Sequence, residues 1–173
     1  MRSMLTHEGS TFINFRKYRF QDPRSPAFRW VDIKRLRFPV KSVGDTELLA
    51  ELIGHEQFQD DYAGGGVLPE GLRHGPYWVR AVTPDAYEAV DREKSDRILW
   101  EWANRFEVVP AGLATDLRRE VFDLLTAAER IYHLSELGDE AIHDWGGVHG
   151  DFLEFVLIDR SAGQITLLVA ADD

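Results

Sequence analysis

The chain has 173 residues, 44% of them hydrophobic and 12% aromatic, and a formal net charge of −10. That apolar content can build one sizeable core, which excludes wholesale disorder, and no uncharged apolar run reaches membrane-spanning length. The absence of cysteine excludes disulfides, thiol nucleophiles and thiolate metal sites together.

The elements follow in chain order. Residues 11–20 interleave aromatic and polar side chains and are expected to form a strand. The two prolines and the Asp of 21–26 make a turn. Residues 27–38 alternate like a strand, although Ser25-Pro26 is also a helix-start signature; a strand would pair with 11–20 as a basic hairpin. Asp45 can cap a helix over 46–59, with Leu48, Leu49, Leu52, Ile53 and Phe58 on one stripe. The Gly-rich stretch 60–76 is a long loop and 76–83 a short strand. Thr83-Pro84-Asp85 opens a helix carrying Tyr87 and Val90, and Ser95-Asp96 starts a second. Thr115 caps a third over 116–131. The C-terminal part has the strongest strand signal. Residues 152–159 are apolar on both faces, 160–163 are turn chemistry, and 164–170 return. Strands, then helices, then strands indicate one α+β domain over 1–173. Its mainly antiparallel sheet draws on the N- and C-terminal hairpins and packs against a central helical segment.

The charge is polarised along this order. Residues 1–41 hold ten Lys/Arg and three Asp/Glu, a balance of +7; residues 42–173 hold ten and 27, a balance of −17. An acidic whole argues against nucleic acid, because phosphate contacts need positive surface. Arg16, Arg19, Arg29, Arg35 and Arg37 could still form an anion-binding patch on the basic hairpin, or dock it onto acidic helices of its own or another subunit. The N-terminus lacks the apolar run of a secretory signal, so a cytoplasmic location is expected.

Three further groups of residues could carry function. His143, His149 and Asp151, with Glu154 behind them, could hold a divalent metal; His149 and Asp151 would share a face of an extended segment. The 60–76 loop has glycines and His74 but no phosphate-binding pattern, and no Gly-x-Ser-x-Gly elbow occurs. Trp100 and Trp102 cannot share one helix face, so one must face outward. Together with Glu93, Asp96 and Glu101, it would mark a partner-binding surface.

Residues 148–160 and 167–173 resemble the close of certain uncharacterised actinobacterial proteins of unknown function, and that resemblance implies neither an activity nor a site. The expected function is a non-enzymatic, cytoplasmic interaction module. Its acidic helical surface would engage a basic protein, as an immunity protein engages its toxin, or a second copy. The alternatives are a metal-dependent enzyme built on His143, His149 and Asp151, or an anion binder built on the basic hairpin. No cofactor is expected beyond such a metal.

Overall fold

A computed structural model describes residues 4–39, 43–63, 66–68, 71–144, 146 and 150–172. A six-stranded antiparallel sheet organises them. It is formed by β1 (Thr6–Asn14), β2 (Arg29–Arg37), β5 (Tyr87–Val90), β6 (Arg130–Leu134), β7 (Asp151–Asp159) and β8 (Gln164–Asp172), in the order β1-β2-β8-β7-β6-β5. The N- and C-terminal hairpins share this sheet, as expected, because β2 pairs along its whole length with β8, from Arg29 opposite Asp172 to Arg37 opposite Gln164. A two-stranded ribbon, β3 (Arg73–His74) with β4 (Tyr77–Trp78), stands apart.

Both faces of the sheet are covered, which is why its central strands are apolar throughout. On one face, Trp30, Leu36, Val156, Ile158, Ile165 and Leu167 pack against Leu48, Leu49 and Leu52 of α1 (Asp45–Ile53) and against Phe58, Tyr62, Tyr77 and Val82. On the other face, Val31, Ile33, Phe155, Leu157 and Leu168 meet α2 (Arg92–Ala103), α3 (Ala111–Leu117) and α4 (Asp123–Ala127). Each fully buried Leu, Ile or Phe contributes roughly 2 kcal/mol of transfer free energy.

The helical middle departs from the sequence reading in four places. The helix expected over 46–59 stops at Ile53, where the Gly54 amide turns back to the Ala50 carbonyl; Phe58 closes a separate 3-10 turn. Thr83-Pro84 opens only one 3-10 turn, and Tyr87 then enters strand β5 against Leu134, where the sheet edge buries it. The third helix starts early, after Pro110, and crosses a π-helical turn (Arg118–Phe122) into α4. That extra residue per turn buries Val121 and Phe122 together. The chain then forms β6, whose five residues are too short for a clear periodicity. Helix α2 begins before Ser95, because the Asp91 carboxylate accepts the Lys94 amide at 2.7 Å.

Candidate functional site

The alternation of β2 sends Asp32 and Lys34 into the protein beside Trp30 and Leu36, on the face covered by α1 and by the segment that follows it. Lys34 is 3% exposed. Its ammonium donates to the Gln57 carbonyl at 3.0 Å, to Asp60 Oδ2 at 2.8 Å and to the Tyr62 hydroxyl at 3.2 Å. All three N–H groups are thereby used. Asp60 Oδ1 in turn accepts the Tyr62 amide at 2.8 Å. One buried lysine therefore fastens residues 57–62 to the sheet.

Asp32 receives none of these bonds. Its Oδ2 lies 3.9 Å from the Lys34 ammonium and has no hydrogen-bond donor among the described residues. Burial pushes this carboxyl up to about 6, with Lys34 opposing the rise and Asp60 adding to it. Asp32 and Asp60 floor a cleft of about 340 Å³ walled by Phe12, Phe28, Trp30 and Tyr62.

A second polar cluster lies deeper on the same face. Glu154 of β7 meets His74 Nε2 and the Tyr87 hydroxyl, and neither His74 nor Glu154 has an exposed side chain. His74 Nδ1 lies 2.7 Å from the Phe58 carbonyl, which only accepts, so that nitrogen carries a hydrogen. The His74 ring stacks on Phe58 with centroids 3.5 Å apart. Burial and the adjacent Glu154 carboxylate raise the Tyr87 hydroxyl well above its usual range. This cluster has the residue types of acid–base catalysis but is sealed from solvent, so it organises the core instead. Another cleft, of about 460 Å³, opens beside β6 and β7, where Glu136, Asp139 and Asp151 surround Leu137, Ile142 and Phe152.

The expected site residues scatter across this framework. His143 is buried; its Nε2 contacts the Gly75 carbonyl at 2.6 Å and its ring stands edge-on to Trp78. Asp151 forms an ion pair with Arg105, Glu154 is committed to His74, and His149 lies outside the described residues. No group of three His, Cys, Asp or Glu that could hold a metal occurs among the described residues. Nor do the five arginines form one patch. Arg29 is 1% exposed and donates to the Ala103 carbonyl at 3.0 Å, at the C-terminal end of α2. Arg35 is half-buried against Thr11, and Arg37 lies at the far end of β2 from Arg16 and Arg19. Of the two tryptophans, Trp102 is core, at 2% exposed, while half-buried Trp100 stacks on Phe122 at 4.3 Å. Glu93 and Glu101 are exposed and Asp96 is half-buried. They share α2 and its flanks with Arg92, Lys94, Arg97 and Arg105, so this helix does not present an acidic face.

No protein-family model matches the chain, and no curated protein matches it. Among solved structures, citrus MAF1 in space group C 2 2 21 is similar with a TM-score of 0.38 and 10% identity, over 83% of this chain and 89% of that one. The same protein in space group P 31 2 1 gives a TM-score of 0.38 and 12% identity, over 91% and 93%. Likeness of that size establishes neither a shared fold nor a shared role. No helix among the described residues is long and apolar enough to cross a membrane.

Proposed function

We propose that this protein is a non-enzymatic interaction module that engages a basic protein partner through the acidic cleft beside β6 and β7. The supporting observation is a local charge excess set around apolar surface. Residues 135–150 carry four carboxylates and no Lys or Arg, and Glu136, Asp139, Glu140 and Asp144 are all exposed. Glu136 and Asp139 border a concave surface that contains Leu137, Ile142 and Phe152. A polar rim around an apolar centre is the anatomy of a recognition patch, and a negative rim selects lysine- or arginine-bearing partners. The sealing of the His74–Glu154 pair supports binding over catalysis. This reading puts the recognition surface away from α2, whose charges cancel.

Poly-L-lysine binding measured by fluorescence anisotropy tests this reading. The triple variant Glu136→Lys/Asp139→Lys/Glu140→Lys is compared with Glu47→Lys/Glu93→Lys/Asp123→Lys, which changes net charge equally from exposed positions elsewhere. The first is expected to weaken binding about tenfold more than the second, a difference that shrinks with added salt. Equal losses would mean diffuse charge attraction and overturn the assignment.

A further inference from the structure

We propose that the cleft between β1, β2 and residues 60–62 binds a small organic monocation, a primary ammonium carrying an apolar substituent. The inference rests on an imbalance of hydrogen bonds at buried carboxylates. Two carboxylates, Asp32 and Asp60, share one lysine, and Lys34 spends all three N–H groups on Gln57, Asp60 and Tyr62. Asp32 Oδ2 is left buried without a donor among the described residues. A carboxylate oxygen taken from water without replacement is costly, and a ligand N–H supplies what is missing.

The walls match the same ligand. Trp30 and Tyr62 stack at 5.5 Å between centroids, and Phe12 leans on Trp30 at 5.7 Å. Aromatic faces beside a carboxylate attract ammonium groups through the ring quadrupole. Phe12 and Phe28 stand at the cleft while 58% exposed each, apolar surface that a ligand's hydrocarbon part would cover. Backbone geometry concentrates here too. Among the described residues, the non-glycine ones with positive φ are Tyr62, at 55°, and Ala27, at 48°, which immediately precedes Phe28. Such strain is retained where surrounding structure enforces it, often at binding sites. Arg16 also lines the cleft, its guanidinium 4.7 Å from the Phe28 ring centroid. Its charge opposes a second cationic group, which restricts the ligand to one ammonium.

Isothermal titration calorimetry at pH 8 tests the proposal with three probes of one shape: phenethylammonium, phenethyltrimethylammonium and 2-phenylethanol. Saturable 1:1 binding of phenethylammonium is expected, with the quaternary analogue and the alcohol about tenfold or more weaker, since neither reproduces a charged N–H donor. Asp32→Asn should cause a similar loss, and exposed Phe28→Ala, which spares the core, a severalfold one. Lowering the pH to 5 should weaken binding about tenfold as the Asp32 carboxyl, pushed up to about 6, takes a proton while the amine stays charged. Tighter binding of Nα-acetyl-lysine amide, still lost in Asp32→Asn, would overturn the small-molecule ligand in favour of a lysine on a partner chain. No saturable phenethylammonium binding, equal affinity for 2-phenylethanol, or unchanged affinity in Asp32→Asn would each overturn the proposal.

Discussion

His74 and Glu154 meet in the interior with a single proton between them. His74 Nδ1 already holds a hydrogen against the Phe58 carbonyl, so the Nε2–Glu154 contact needs one more, borne by either partner, while Tyr87 donates to the other carboxylate oxygen. Glu154→Ala would leave a buried imidazole and a buried phenol without their acceptor. It should cost about 3–5 kcal/mol of unfolding free energy. Glu154→Gln can still donate to the imidazole and accept from Tyr87, and should cost about 1 kcal/mol. Urea unfolding of the two variants checks this, and near-equal losses would contradict the shared-proton arrangement.

Asp32 should make the protein more stable in mild acid than at neutral pH. Its carboxyl is held near 6 in the folded state against an ordinary value of 3.8, so the folded state binds the proton more tightly. Below the unfolded value both states are protonated and the group has no effect. As pH rises through about 4 to 6 the folded state loses stability, by an amount on the order of 3 kcal/mol. Asp32→Asn should therefore unfold at higher urea than the natural chain at pH 7, and the gap should narrow as pH falls through 6 and close only below about 3.8. A gap independent of pH would contradict burial as the cause.

Arg29 works as a core residue and as a cation at a helix C-terminus. Its guanidinium lies 4.3 Å from the Trp102 ring centroid and 5.1 Å from that of Phe15, and burial pulls its pKa down to about 10. Arg29→Ala should destabilise the fold by about 3 kcal/mol, and Arg29→Met, which restores volume without a buried charge, by less than half of that. Sulfate or phosphate affinity, followed by the same unfolding assay, should not differ between the natural chain and Arg29→Met.

Gly75 should accept no side chain. It takes the first turn position between β3 and β4 at φ +52°, and a Cβ there would run into the Phe152 ring. Gly75→Ala should cost about 2 kcal/mol or more through backbone strain and overpacking together. Adding Phe152→Leu should recover part of that loss, as denaturation of the double variant would reveal.

The strands were far more legible than the helices, and the polar clusters were hardly legible at all. Alternation in 27–38 and two-sided apolarity in 152–159 are local signals, and both segments are strands. The Ser25-Pro26 start signal misleads because buried Ser25 donates instead to Glu107 at 2.9 Å, a partner the sequence places far away. Segment 83–90 and the last residues of 116–131 differ from the expected helices because sheet pairing at Tyr87 and Ile131 overrides local helix preference, while 116–127 is helical. Lys34 with Asp60, and His74 with Glu154, are assembled only by the topology. One clue was present: an ionisable residue inside an apolar strand, Glu154 in FLEFVLI, demands a buried partner. Reading it as a metal neighbour looked along the chain, whereas its partner lies across the sheet face.

The position of β8 between β2 and β7 sets an order on synthesis and folding. β1 and β2 are made before β8, so the second partner of β2 follows roughly 130 residues later, and contacts of such separation form slowly. During that interval the inner edge of β2 offers nine residues of open backbone, with Val31 and Ile33 uncovered. The lysines and arginines concentrated in this early hairpin then have a second use. Carrying one sign of charge, hairpins that still have this edge open repel one another.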